Sequence, residues 1–211
     1  MTGDDGEVDA LLARLRGGDP TAAAELFAHH RDRLRRMVRL RLDRRLQGRL
    51  DPSDVLQEAF LDISRRAVDY ATNPTLPAFL WLRLLTGQKL LELHRRHLGT
   101  QMRDAGQEVS LYRGALPQAS SLSLAAQLLG RLTTASQVAV RAEMQIRLQE
   151  ALNSLDPLDR EVLALRHFEE LSNSETAQVL GIQKSAASNR YVRALKRLKD
   201  VLSAMPGFFE P

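Results

Sequence analysis

The sequence contains no cysteine, which excludes disulfide bonds and thiolate metal sites and suits the reducing cytoplasm. It also lacks the uninterrupted run of about eighteen apolar residues that a membrane helix needs. The first residues, MTGDDGEVD, are acidic and have neither the cationic start nor the apolar stretch of a secretory signal. These absences predict a cytoplasmic protein with no membrane partner.

Signatures of catalysis are missing as well. The chain has no glycine-rich phosphate loop, no GxSxG elbow and no HExxH motif. His94 and His97 lie one turn apart near Glu92, a spacing that can bind metal. A surface role fits them better, because neither cysteine nor HExxH accompanies them. We therefore predict no enzymatic activity, no metal and no cofactor.

Strand-like alternation is also absent, and helical periodicity dominates the 211 residues. The predicted fold is all-α, with two small helical domains joined by a flexible linker. Glycine, serine, glutamine and proline weaken the pattern over residues 99–135, which favours a linker there. The predicted divisions are a helical bundle over residues 1–98, a linker over 99–135, a helix-turn-helix domain over 136–205 and a tail over 206–211.

Three helices are predicted to begin at Asp-Pro pairs. Aspartate can cap a helix by accepting a hydrogen bond from a free amide, and proline suits the first turn. The pairs are Asp19-Pro20, Asp51-Pro52 and Asp156-Pro157.

The strongest local pattern is LSNSETAQVLGIQKSAASNRYVRALKRL, residues 171–198, in which two helical patterns meet at Gly181-Ile182. Glycine there tolerates the left-handed backbone of a tight helix exit. Six cations and no acid lie between Lys184 and Lys199, which suits a phosphate backbone. Such a basic helix is often only a solvated or partner-binding surface, but the paired helix and short turn favour DNA.

Candidate DNA contacts follow from this pattern. Small polar residues at the start of the second helix suit base edges, and later arginines suit phosphates. The candidates are Lys184, Ser185, Ser188 and Asn189 for bases or the groove, and Arg190, Arg193 and Arg197 for phosphates. The net charge is +4, and residues 31–50 hold nine arginines against two aspartates. Nucleic acid or an acidic protein surface is therefore the expected partner.

Two segments together resemble the sigma-70 family, in particular its extracytoplasmic-function sigma factors. Conserved region four of that family is similar to residues 154–202, which begin SLDPLDREVLALRHFEEL, and region two is similar to the N-terminal bundle. The family's acidic clamp-binding helix resembles DPSDVLQEAFLDISRR, residues 51–66. Its −10 helix resembles WLRLLTGQKLLELHRR, residues 81–96. The chain departs from the usual family residues at Gly87-Gln88 and Ala186-Ala187.

The resemblance implies an RNA polymerase sigma factor that binds core polymerase, recognises −35 and −10 promoter elements and helps to open DNA. The implied polymerase contacts are Asp51, Asp54, Gln57 and Glu58. The implied −10 contacts are Tyr70, Asn73, Trp81, Lys89, His94, Arg95 and Arg96. The resemblance assigns the helix-turn-helix candidates to the −35 element. An anti-sigma factor is a further partner that the resemblance allows.

Local roles compete with several of these assignments. The competing role of Asp51 is that of a helix cap, and the competing role of Asn73 is that of a turn former before proline. Trp81 is favoured as a core residue. Two alternative functions also remain. One is a helix-turn-helix regulator that does not replace a sigma factor, and the other is a helical interaction protein that binds no DNA.

Overall fold

The computed structural model describes residues 2–98, 116–132 and 138–203. In those ranges all regular secondary structure is helical, which confirms the all-α prediction. No helix in the same ranges is long and apolar enough to cross a membrane. The chain divides into two compact units, Met1–Pro117 and Gln118–Pro211.

Four helices make up most of the described part of the first unit. They are α1 (Thr2–Arg16), α2 (Ala22–Arg41), α3 (Pro52–Thr72) and α4 (Ala78–Leu98), with a 3-10 turn at Arg44–Leu46. Helices α2, α3 and α4 pack against one another, and α1 packs on α2 and α3. Their core includes Leu34, Ile63 and Leu90, each at most 1% exposed. Burying one such side chain contributes about 1.5–3 kcal/mol, so packing is the main force that holds this bundle together.

Two of the three predicted Asp-Pro helix starts are confirmed. Asp51 and Asp156 each accept a hydrogen bond from the amide two residues further on, at 2.7 and 2.8 Å. The third prediction is wrong by two residues, because Thr21 is the residue that precedes α2. Asp19 instead accepts bonds from the amide and hydroxyl of Thr21 and from the guanidinium of Arg14. Its carboxylate therefore stabilises the turn before the helix.

Five helices form the described part of the second unit. They are α5 (Ser121–Leu132), α6 (Val138–Asn153), α7 (Pro157–Leu163), α8 (Asn173–Leu180) and α9 (Lys184–Ser203), and a π turn at Ala164–Phe168 follows α7 directly. Helix α5 packs along α6, and α9 packs on α6, α7 and α8.

The linker predicted over residues 99–135 must be shortened, because part of it is α5. The side chains of Leu124, Ala125 and Leu129 are fully buried in this helix. Before α5 begins, the Ala119 amide donates a hydrogen bond to a carboxylate oxygen of Glu161 at 3.1 Å. Burial of these apolar side chains in the second unit outweighs the polar composition of the segment. Residues 99–115, 133–137 and 204–211 lie outside the described residues, so the rest of the linker and the tail stay predictions.

A glycine in the middle of α4 makes room for a residue beyond the helix. A Cβ at Gly87 would overlap the Cδ2 of Leu116 and lie 2.8 Å from its Cγ. Glycine is unfavourable inside a helix by about 1 kcal/mol relative to alanine. The close approach of Leu116 explains why a residue without a side chain fits at this buried position.

We expect Gly87→Ala to reveal this contact through its dependence on residue 116. In the wild-type chain the added methyl group displaces Leu116, and the cost of overpacking, about 1–3 kcal/mol, exceeds the gain in helix propensity. In a Leu116→Ala background the same substitution should stabilise the first unit by about 1 kcal/mol. A double-mutant cycle of unfolding free energies from urea denaturation measures the difference. Equal effects in both backgrounds would show that the two residues do not interact.

Candidate nucleic-acid and polymerase interfaces

The first turn of α3 uses two of its acidic residues to cap the helix. Asp51 accepts from the Ser53 amide, and this bond lowers the pKa of the Asp51 carboxyl. In return, Asp54 Oδ2 accepts a hydrogen bond from the Asp51 amide at 2.8 Å, which completes a capping box. Both aspartates are exposed, so a partner could still contact them, but each already has a structural role.

The other two predicted polymerase contacts lie one turn further along α3. Gln57 is exposed, and Glu58 is partly exposed. The Glu58 carboxylate lies 3.7 Å from the guanidinium of Arg96 on α4. The structure therefore places a predicted polymerase contact beside a predicted DNA contact.

Two apolar residues on α3 were not predicted from the sequence. The side chains of Leu61 and Val68 are 59% and 49% exposed. Spacings of seven residues place Asp54, Leu61 and Val68 along one side of the helix. The signal that could have identified them is their position outside the buried stripe that Leu56 and Ile63 follow. The side of α3 that carries Asp54 is thus acidic at its start, and further on it exposes Leu61 and Val68 on either side of the exposed Arg65.

Tyr70 and Trp81 belong to the core of the first unit. Only 6% and 8% of these residues are exposed, and their rings stack with centroids 4.2 Å apart and planes 10° apart. The Tyr70 hydroxyl donates a 2.6 Å hydrogen bond to the Leu76 carbonyl. Burial raises the pKa of Tyr70 to about 12. Both residues are buried, which corrects their assignment as −10 contacts and fits the core role favoured for Trp81.

The remaining loop candidate is accessible. Asn73 is exposed and follows the last residue of α3, and its backbone N–H donates to the Asp69 carbonyl at 3.1 Å. The bond belongs to its backbone, and its side-chain amide lies at the surface beside Pro74.

Ion pairs involve two of the α4 cations that the sequence assigns to phosphates. Lys89 donates to Asp62 and Glu92, at 2.8 Å each, and its side chain is only 13% exposed. Arg96 pairs with Glu92 at 2.8 Å while remaining 54% exposed. The pair with Asp62, a residue of α3, corrects the role of Lys89, because a cation held between two carboxylates does not add free positive charge. Arg95 is exposed.

His94 is a buried residue and not a surface cation. It is 1% exposed, and its Nε2 accepts a hydrogen bond from the Asp43 amide at 3.3 Å, which requires that nitrogen to be unprotonated. Burial lowers the pKa of His94, and the nearby Asp43 carboxylate opposes this shift only in part. The predicted phosphate contact is therefore wrong, because the imidazole is neutral and inaccessible.

We expect the stability of the first unit to fall in mild acid because of His94. The unfolded chain protonates this imidazole near its ordinary pKa of 6.5, whereas the folded pKa is lower. The stability that His94 contributes is therefore complete above about pH 6.5, and it is lost progressively as the pH falls towards the pKa of His94 in the folded protein. Urea denaturation from about pH 8 to about pH 5 should show less of this loss in His94→Gln, whose amide oxygen can still accept from Asp43. Parallel profiles for the two proteins would contradict the assignment.

In the second unit, α8 and α9 are joined by a three-residue turn. Ser172 accepts from the Glu175 amide at 3.1 Å, and Glu175 accepts from the Ser172 amide at 2.7 Å, so a capping box begins α8. Gly181 follows the last residue of the helix, and its φ of 60° lies in the left-handed region that favours glycine. The Asn173 side chain donates to the Lys184 carbonyl at 2.8 Å and ties the start of α8 to the start of α9.

Helix α9 presents its polar residues outward. Ala187, Ala194 and Leu198 are buried against the rest of the unit. The residues that are exposed include the predicted contacts Lys184, Ser185, Ser188, Asn189 and Arg197, together with Lys196 and Lys199. The first turns of α9 therefore offer small hydrogen-bonding side chains and a lysine to a partner.

Arg190 and Arg193 differ from the other cations of α9. Arg190 Nη1 donates to Asp159 at 2.7 Å and to Asp156 at 3.3 Å. Arg193 donates to both oxygens of Asp159 through Nε and Nη2, at 2.7 Å each. Burial alone would raise the pKa of Asp159, but the hydrogen bonds from the two arginines outweigh it and hold the pKa below its usual value. Asp159 has no counterpart among the predicted site residues.

Comparison with known proteins finds a family match within the second unit. A family model described as sigma-70, region 4, matches residues 145–198. That range covers the capped α7, the π turn, α8 and most of α9.

Full-length relatives extend the similarity to the first unit. The chain is 28% identical to the ECF RNA polymerase sigma factor SigD of Mycobacterium tuberculosis over 97% of this chain and 88% of that protein. It is 25% identical to SigK of the same species over 93% of this chain and 94% of that protein. A solved structure of CnrH, in complex with the cytosolic domain of CnrY, has a similar fold, with a TM-score of 0.54, 23% identity and coverage of 94% and 98% of the two chains.

Proposed function

Since the chain belongs to the sigma-70 family, in its extracytoplasmic-function branch, and functions in transcription initiation, we propose that it docks on core RNA polymerase and reads two promoter elements. The second unit binds the −35 element, and the first unit binds the −10 element and helps to open the DNA. The protein acts in the cytoplasm without a cofactor, and catalysis belongs to the polymerase.

The observation that carries this proposal is the exposed start of α9. Lys184, Ser185, Ser188 and Asn189 form a polar surface directly after the tight turn at Gly181. Serine and asparagine side chains donate and accept hydrogen bonds, which base edges in the major groove require. Four exposed cations that are not paired with Asp159 lie along the same helix and supply positive charge for phosphates, namely Lys184, Lys196, Arg197 and Lys199.

The exposed side of α3 supports docking on core polymerase. Asp54 and Gln57 provide acidic and amide groups, and Leu61 adds an apolar side chain that is 59% exposed. A mixed surface of this kind suits a protein partner, because charge gives register and apolar area gives affinity. Nucleic acid would instead be repelled by the aspartate.

For the −10 element we propose Asn73, Arg95 and Arg96. All three are exposed, and the arginines extend from the last turns of α4. Arg96 pairs with Glu58 and Glu92, and the side chains of all three residues are between 38% and 54% exposed. Exposed pairs of this kind are worth about 1 kcal/mol or less, so the guanidinium can exchange these carboxylates for phosphates. An anti-sigma factor is the regulatory partner that membership of the family suggests.

Reconstituted transcription with purified core polymerase on a promoter library tests the proposal. We expect defined start sites that depend on this protein, preceded by shared −35 and −10 sequences, and co-purification with core polymerase. Duplex binding of equal strength with and without core polymerase, and no specific start, would favour a conventional helix-turn-helix regulator. Absence of both transcription and DNA binding would favour a protein interaction module.

A further inference from the structure

Asp159 is a buried carboxylate that two arginines of α9 share. The residue is 3% exposed, and it lies on α7. Its partners are separated from it by 31 and 34 positions in the chain, so the contact fixes α9 against α7 within one unit. All three short hydrogen bonds are 2.7 Å long and join ionised groups, which makes them stronger than neutral hydrogen bonds.

The cluster around Asp159 carries little net charge. Arg190 and Arg193 contribute two positive charges, and Asp159 and Asp156 contribute two negative charges within 3.3 Å of Arg190 or Arg193. These arginines therefore add little to the long-range attraction of DNA, which falls to Lys184 and the cations after Arg193. They can still donate hydrogen bonds, because Asp159 uses only Nη1 of Arg190 and only Nε and Nη2 of Arg193.

We infer that Asp159 is a positioning residue for sequence recognition by α9. It holds Arg190 directly beside Asn189 and sets the rotation of the helix, so that Ser185, Ser188 and Asn189 face outward together. It also aims the unused N–H groups of both arginines at fixed points. A donor held in place before binding loses less conformational entropy when it meets its acceptor. Asp159 thus increases discrimination between DNA sequences although its own charge repels DNA.

The positioning role and two simpler roles predict different effects of Asp159→Asn on DNA binding. If Asp159 acted only through its charge, Asp159→Asn would strengthen binding to every DNA sequence. If it served only to stabilise the fold, the substitution would weaken binding to every sequence alike. A positioning role predicts a loss that is confined to the correct sequence, because fixed donors matter only where matching acceptors lie opposite them.

The inference rests on the proposed −35 function and is tested with the full chain bound to core polymerase. Two DNA fragments are used, a promoter selected from the library and the same promoter with a scrambled −35 element, and binding to each is measured as a function of salt. For Asp159→Asn we expect the preference for the intact element to fall by about tenfold, the loss typical of one good contact. Binding to the scrambled fragment should be unchanged or tighter, with a salt dependence at least as steep.

Asp156→Asn is the matched control. It removes one negative charge beside Arg190, while asparagine still caps α7 as well as aspartate does. We expect its preference for the intact element to equal that of the wild type. If Asp159→Asn fails to fold, Arg193→Lys keeps the charge and removes the two-pronged contact, and it should lower the preference in the same way.

The outcomes separate the two proposals. A wild-type complex that does not distinguish the fragments contradicts the proposed −35 function. A wild-type complex that distinguishes them, together with an Asp159→Asn complex that distinguishes them equally well, overturns the positioning role. Equal weakening on both fragments would leave Asp159 as a purely structural residue.

Discussion

Leu61→Arg should abolish transcription that depends on core polymerase while leaving the protein folded and able to bind DNA. The Leu61 side chain is 59% exposed on α3, so arginine can replace it without disturbing the core. In the proposed complex the same side chain meets the polymerase, where a buried anchor is typically worth 2 kcal/mol or more. We expect the affinity for core polymerase to fall by at least about thirtyfold, as measured by competition for labelled core enzyme.

Ile146→Arg is the control for this substitution. Ile146 lies on α6 in the second unit and is also 59% exposed, so both variants place one arginine at an equally exposed apolar position. We expect Ile146→Arg to bind core polymerase as the wild type does. If Leu61→Arg retains wild-type affinity, the exposed side of α3 is not the docking surface. Asp54 is a poorer choice for such a test, because its carboxylate also caps the helix.

Trp81→Ala should destabilise the first unit by about 3–5 kcal/mol. The indole is 8% exposed and stacks on Tyr70, so alanine leaves a cavity beside a second large ring. That loss is comparable to much of the stability of a small domain. Urea denaturation followed by far-ultraviolet circular dichroism measures the change.

Trp81→Phe distinguishes packing from DNA contact. Phenylalanine keeps most of the buried ring, so we expect it to retain most of the stability and most of the transcription that alanine loses. If Trp81 were a surface platform for bases, Trp81→Ala would instead leave the free energy of unfolding unchanged and impair only promoter opening.

Features that depend on neighbours in sequence were predicted well. The caps at Asp51 and Asp156 involve residues only two positions apart, so composition and spacing suffice to identify them. The end of α8 at Gly181 is equally local, because glycine tolerates the φ of 60° found there. At Asp19 the local rule failed, since α2 begins two residues later than the Asp-Pro pair predicts and the Asp19 carboxylate bonds Arg14 and Thr21 in the turn before it.

Features that depend on distant pairs could not be predicted in the same way. His94 has the appearance of a surface cation until the Asp43 amide, 51 positions away, is placed against its ring. Arg190 similarly has the appearance of a free phosphate contact until Asp159 is brought beside it. A sequence shows which side chains carry charge, but only packing decides which charges are already neutralised. The α3 surface escaped prediction because the exposure of Leu61 is a property of the bundle.

The stacked pair in the first unit also gives the protein a spectroscopic label of its own. Trp81 is the only tryptophan in the chain, and its indole is buried against Tyr70. Fluorescence excited selectively in tryptophan therefore reports on Met1–Pro117 alone, whereas helical circular dichroism reports on both units. Recording the two signals on one sample would show whether the units melt together or one after the other, without an added dye or a shortened chain.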